Sequence, residues 1–299
     1  QTMSKSLGNG VDPIDIIQKY GADALRFGMA NMCTETQDVR LPVAQETLPD
    51  GRTINVSPRF EIGRNFCNKL WQASTGFVLA NLDGYAPSPL TADDLQLADK
   101  WILSKLQQCI AEVDGDLNAY RIGDAVSAVY RFFWNDYCAW YLEMAKPRLR
   151  DPLQAPVVRQ VLVWCIDQTV RLLHPVTPYI TEAIWGQLND AAPARGIGQP
   201  MTHTEHLIVA PWPTVEPSLR DESLEQAVDA MRTVVTSVRD IRTYINSVRA
   251  QAKQTSIRTL PGVMVRADRP ISDILKLYHE QIMILGSCET LEYGPDLVK

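Results

Sequence analysis

The stretch from residue 58 to residue 192 constrains this chain most. It carries amphipathic runs at about 58–82, 93–117, 121–145, 155–173 and 178–189, with breaks signalled at Pro87/Pro89, Asp114-Gly115, Pro147, Pro152 and Pro175/Pro178. At about 100° per residue, Ile62, Phe66, Leu70, Trp71, Phe77 and Val78 fall on one half of the first wheel. Arg64, Asn65, Asn68, Lys69 and Gln72 fall on the other. Helices with a single apolar stripe bury it against one another, and short connections make neighbours pack. The sequence therefore predicts a mainly α chain built on a helical bundle with a core of its own.

The flanks read differently. Residues 1–57 open with a loop, Ser4–Gly10, followed by a helix start with Asp12 at the N-cap, Pro13 at the first helical position and Asp15 in the first turn. A short helix is expected over Ala22–Ala30, then polar turns over Thr34–Thr53 with Pro42, Pro49 and Asp50-Gly51. Residues 193–217 hold five prolines and a short apolar run, Leu207–Ala210, which suggests an extended connector. Residues 218–299 predict a long helix over about 218–252 and a β-like run at Gly262–Ala267. A helix near Ile271–Leu285 and a second short run at Thr290–Tyr293 complete a small C-terminal α/β cap.

Charge and cysteine usage exclude several classes. Twenty-nine basic against 35 acidic residues leave a formal charge of −6, so a general basic coat for nucleic acid is ruled out and any such contact must be a local patch. Neither a membrane-spanning apolar run nor a signal peptide is present, which leads us to expect a cytoplasmic chain with no membrane partner. The six cysteines contain no C-x-x-C pair. That spacing argues against structural zinc and against a disulfide framework, and fits reduced thiols with no metal. Thr202-His203-Thr204-Glu205-His206 lacks the H-E-x-x-H order of a zinc helix and reads as a polar linker. A first residue of Gln is read as an internal point of a longer protein.

Two local patches qualify for nucleic acid. One is the polar face carrying Arg64, Asn65, Asn68 and Lys69. The other lies in residues 231–258, which hold Arg232, Arg239, Arg242, Arg249, Lys253 and Arg258 against Asp240 alone, a balance of +5. Arg232, Arg239, Arg242, Arg249 and Lys253 form one stripe beside an apolar set of Val234, Val238, Ile241, Ile245 and Val248. The long helix is expected to pack on that set and offer the stripe to RNA. Tyr130, Phe133, Trp134, Tyr137, Trp140 and Tyr141 share a three/four spacing that favours buried core over a base-stacking platform. Asn135, Asp136 and Glu143 are assigned polar structural bonds.

Chemistry concentrates at the start. Met3-Ser4-Lys5-Ser6 with Gly8 and Gly10 makes a small-residue loop that can bring an ammonium and backbone N–H groups to phosphate oxygens. The longer string MSKSLGNGVDPIDIIQKYGADALRFGMA resembles the second signature of class I aminoacyl-tRNA synthetases, K-M-S-K-S followed by G-N-x-(x)-D-P and G-A-D-A-L-R. The resemblance implies that Ser4, Lys5 and Ser6 contact ATP and that Lys5 is catalytic. Thr2 stands where the family has its first lysine, so Lys5 carries more of the charge stabilisation.

Thr36–Arg40, the string GRNFCNKLWQA over residues 63–73, FFWNDYCAWYLE over 132–143, and LLHPVTPYITE over 172–182 resemble the valine-specific branch of that family. That branch implies a helical bundle of the class I anticodon-binding type, with ATP and Mg2+, valine and a valine-accepting tRNA as partners of the whole enzyme. The Rossmann-core H-x-G-H string is absent, so no adenylate formation is expected from these residues alone. Rival readings are the isoleucyl or leucyl branch, and a helical interaction module without catalysis. The last leaves the Ser4–Arg26 string unexplained.

Overall fold

Asp12 starts the first helix in the computed structural model, which describes Met3, residues 10–34 and residues 37–295. Its carboxylate accepts the Ile14 N–H at 2.8 Å, while Pro13 fills a position with no N–H to satisfy. Helix α1 (Pro13–Tyr20) ends at Gly21, whose φ of +96° suits a residue without a Cβ, and α2 (Ala22–Met32) leaves from the same glycine. Ile16, Tyr20 and Ala24 close a small core with Ile54, Val56 and Phe60.

The segment expected as polar turns contains a hairpin strand. β1 (Ala44–Thr47) pairs antiparallel with β2 (Thr53–Val56), Ala44 opposite Val56 and Thr47 opposite Thr53. Asp50-Gly51 forms the turn as its sequence signals, with Gly51 at φ +83°. β1 is exposed along its whole length, so no apolar alternation marks it in the sequence.

The bundle follows. α3 (Glu61–Trp71) continues as a π-helix, Gln72–Val78, and a 3₁₀ turn, Leu79–Asn81. After α4 (Leu97–Asn118), α5 (Ile122–Tyr130) runs through a second π-helix, Arg131–Tyr141, into α6 (Leu142–Arg148). α7 (Ala155–Leu173) and α8 (Pro178–Ala191) complete it. The expected break at Asp114-Gly115 does not occur. Gly115 is exposed in α4, where glycine costs about 1 kcal/mol, and burial of Val113 and Ile110 on the other face offsets that. Pro147 lies inside α6 one residue from its end, where few helical bonds remain to be lost. Trp101, Ile102, Leu106, Phe133, Tyr137, Val161 and Ile166 are fully buried, each such apolar side chain contributing on the order of 1.5–3 kcal/mol.

In the connector, β3 (Ala194–Arg195) and β4 (Met201–Thr202) make a minimal antiparallel pair. Leu207–Val209 forms a 3₁₀ turn in place of the expected extended run, because only Leu207 is buried while Ile208 and Val209 face solvent.

Residues 1–220 form one unit and residues 221–299 a second. In the second, Asp221 caps α9 (Glu222–Gln251) by accepting the Leu224 N–H at 2.9 Å. β5 (Val263–Arg266) pairs in parallel with β6 (Leu291–Gly294), connected through α10 (Arg269–Leu277) and α11 (His279–Gly286). The single helix expected over Ile271–Leu285 is thus two, parted where buried Tyr278 takes φ −110° and ψ 18°. No helix among the described residues is long and apolar enough to cross a membrane.

Candidate nucleic-acid interface

Ser4, Lys5 and Ser6 lie outside the described residues. On α3, Asn65 and Asn68 are exposed, while Arg64 and Lys69 are half-buried against aromatic rings. The Arg64 guanidinium sits 5.4 Å from the Tyr20 ring centre and the Lys69 ammonium 5.8 Å from that of Trp134. Both cations are held on one helix face by rings below them, with amide side chains beside them. Such a face can meet phosphate and base edges together.

The aromatic stripe beneath divides. Phe133, Tyr137 and Tyr141 are fully buried, and the Tyr137 hydroxyl donates to the Leu162 carbonyl at 3.1 Å, as a core role requires. Tyr130 and Trp134 are half-buried and stacked on each other, 5.5 Å apart at 11°. Burial also pushes the thiols of Cys67 and Cys138 up to about 12, so both are protonated at neutral pH. Among the described residues no group of three or more His, Cys, Asp or Glu is placed to hold a metal ion.

The second patch is arranged otherwise than the helical wheel predicts. Arg239, Arg242, Asn246 and Arg249 continue the face that carries buried Met231, Val235 and Val238. Arg239 Nε donates to the Leu285 carbonyl at 2.9 Å, and Arg242 Nη1 donates to the carbonyls of Gly286 and Arg258, each at 3.2 Å. Arg249 Nε donates to the Thr255 carbonyl at 2.7 Å, and Asn246 exchanges two hydrogen bonds with the backbone of Ile257. These side chains tie down the returning chain and the C-terminus of α11, where cations are favoured. Ile241, Tyr244 and Val248 are left 52%, 70% and 46% exposed, so packing on the full apolar set does not occur. Lys253 is exposed just past the helix, with φ +54°.

Two polar constellations have little sequence signal. The first joins α2 to the turn between α7 and α8. Asp23 is buried and accepts the N–H groups of Tyr179 and Ile180 at 3.3 and 2.6 Å, at the start of α8. Arg26, one turn on, donates Nε to the Val176 carbonyl at 2.8 Å and Nη2 to that of Pro175 at 2.9 Å. Burial raises the Asp23 carboxyl above its usual range, opposed by the two backbone N–H groups and by Arg26.

The second constellation centres on Asp167, wholly buried in α7. Its carboxylate accepts Arg171 Nε at 2.7 Å and Arg195 Nε at 2.8 Å, and both guanidinium groups stack on Trp185, at 4.8 and 4.5 Å. Arg171 Nη2 lies 2.9 Å from His203 Nδ1. A guanidinium only donates, so Nδ1 accepts and the ring proton is on Nε2. Burial lowers the pKa of His203, Asp167 opposing it, and burial likewise lowers that of Arg195. His203, read from sequence as linker, fastens the connector to the bundle. The one local clue is an Asp–Arg pair four residues apart on a mostly apolar helix.

The architecture is a helical bundle bearing a polar and cationic helix face, and comparison with known proteins gives its family. The chain belongs to the family described as the anticodon-binding domain of tRNA ligase, whose model matches residues 99–257. The model for tRNA synthetases class I (I, L, M and V) matches residues 1–42, which bears out the family expected from the signature string. Its relatives are valine–tRNA ligases. The one from Rhodopirellula baltica is 35% identical over 99% of this chain and 31% of that protein. The one from Lactiplantibacillus plantarum is 36% identical over 99% and 30%, and that from Thermotoga maritima 37% over 86% and 26%. The chain therefore spans less than a third of the length of these relatives.

Proposed function

We propose that this chain is the tRNA-holding portion of a valine–tRNA ligase. The match of residues 99–257 to the anticodon-binding model carries the reading, supported by identity of 35–36% to valine–tRNA ligases along almost the whole chain. On this reading residues 58–192 hold the anticodon arm. Arg64, Asn65, Asn68 and Lys69 present cations and amides to it, and Lys253 with the outer edges of Arg239, Arg242 and Arg249 adds a second cationic contact. In the whole protein, Ser4, Lys5 and Ser6 contact ATP while valine is activated, with Mg2+ brought on the nucleotide, and the aminoacyl group then passes to tRNA. Lys5 supplies positive charge to the pyrophosphate as it leaves. The compartment on this reading is the cytoplasm.

The test is a titration of the purified chain with a valine-accepting tRNA transcript and with the same transcript carrying a replaced anticodon. Saturable binding that weakens by about tenfold or more, or 1.4 kcal/mol, on anticodon replacement is expected. Equal affinity for both transcripts contradicts an anticodon-holding role. Valine-dependent pyrophosphate exchange by this chain alone is expected to be absent.

A further inference from the structure

We propose that Asp23 and Arg26 are positioning residues: they fix the angle between the catalytic-type segment and the helical bundle, so that tRNA held on the bundle presents its acceptor end correctly for aminoacyl transfer. This rests on the function proposed above and adds to it.

The observations meet at one turn. Asp23 and Arg26 lie inside the segment matched by the class I synthetase model, residues 1–42, and their partners Pro175, Val176, Tyr179 and Ile180 lie inside the anticodon-binding match, residues 99–257. The two side chains address opposite ends of helix dipoles. The carboxylate takes the free N–H groups at the start of α8, and the guanidinium takes the carbonyls just beyond the end of α7. Four hydrogen bonds spanning 149–157 residues of sequence thus set how the α7–α8 turn sits on α2.

An open surface groove of about 500 Å³ runs beside the guanidinium, lined by Leu25, Arg26, Met29, Ile122, Pro175 and Val176, so on this side Arg26 bridges α2 to the turn at the edge of solvent. On its far side α2 is held without slack, because Gly63 of α3 approaches the Ala24 backbone so closely that a Cβ would lie 2.2 Å from the carbonyl oxygen. Packing thus seats α2 on α3, and the clamp ties its other side to the α7–α8 turn. A displacement of about 1 Å far from the reacting atoms is enough to cost on the order of a hundredfold in rate.

The experiment uses the full-length ligase containing this chain, with Asp23→Asn, Arg26→Gln and Arg26→Lys, which keeps the charge and loses the fork. Three quantities are read: tRNA affinity, valine-dependent pyrophosphate exchange without tRNA, and the single-turnover rate of transfer from adenylate to tRNA. Transfer is expected to fall by about tenfold or more in Asp23→Asn and Arg26→Gln, and by less in Arg26→Lys. Affinity and exchange should stay within about twofold. Unchanged transfer overturns the proposal. So does a parallel fall of exchange or affinity with transfer, which marks a merely structural role. Should either neutral variant fail to fold, the same split read in Arg26→Lys decides. Failure of the unsubstituted enzyme to bind tRNA or to catalyse exchange is a separate result, against the function itself.

Discussion

Asp99 and Arg148 form a two-pronged ion pair inside the bundle, Nη1 to Oδ1 at 2.8 Å and Nη2 to Oδ2 at 2.7 Å. The Tyr141 hydroxyl donates to Oδ1 at 2.7 Å and the Gln96 backbone N–H to Oδ2 at 3.0 Å, so one carboxylate joins the start of α4 to the end of α6. Asp99 is wholly buried and the Arg148 side chain only 11% exposed. Asp99→Asn should leave that guanidinium without a counter-charge and cost about 3–5 kcal/mol in chemical denaturation. Adding Arg148→Met should recover part of the loss, because the orphaned charge is then gone.

Helix spacing gives a second prediction. Gly63→Ala places a methyl group 2.2 Å from a backbone oxygen of α2, and should cost about 1–3 kcal/mol or more, seen as a lowered Tm. Gly186→Ala is the contrast. An added Cβ there meets nothing within 4 Å on the exposed side of α8, and about 0.5–1 kcal/mol of added stability is expected from helix propensity alone.

How much of this was legible in the sequence depends on how far away each partner lies. Asp12-Pro13 announces a helix start because the capped N–H lies only two residues on. Phe133, Tyr137 and Tyr141 declare their burial through spacing on one helix. The Asp23–Ile180 contact spans 157 residues, and a local pattern holds no trace of it. The basic stripe shows the same limit from the other side. A helical wheel displays Arg239, Arg242 and Arg249 as a free face, but cannot show the chain at Thr255–Arg258 and the end of α11 returning to accept from them. The tRNA-facing candidates on α3 are exposed or half-buried where the wheel places them.

His203 makes stability pH-dependent with a definite sign. Its folded pKa is lowered below the ordinary 6.5, so the unfolded chain binds protons more readily. The stability it contributes is complete above pH 6.5 and is lost as the pH falls from there through the folded value. Asp23, with its raised pKa, acts in the opposite sense, favouring the folded state as it becomes protonated. Urea midpoints should therefore be compared between the wild type and His203→Gln. The wild type is expected to lose more stability on acidification from about pH 7 to pH 5 than the variant does. Parallel curves would show that His203 is equally basic in both states.

The two cationic patches should respond differently to alanine. Arg64→Ala and Lys69→Ala each remove one cation from α3, and should lower the slope of log affinity against log salt by about 0.7–0.9 for each phosphate that the cation neutralises. Arg239→Ala and Arg242→Ala also remove hydrogen bonds to backbone carbonyls, so a stability loss of about 1–3 kcal/mol should accompany any fall in tRNA affinity. Affinity for the valine-accepting tRNA that survives both of these substitutions removes the α9 stripe from the footprint.

Nuclease footprinting of a valine-accepting tRNA bound to this chain tests the central claim most directly. Protection of the anticodon stem and loop, weakened by Lys69→Ala and by raised salt, is the predicted result. Protection confined to the acceptor arm, or none at saturating protein, would contradict the assignment of this chain as the part of the ligase that holds the anticodon arm.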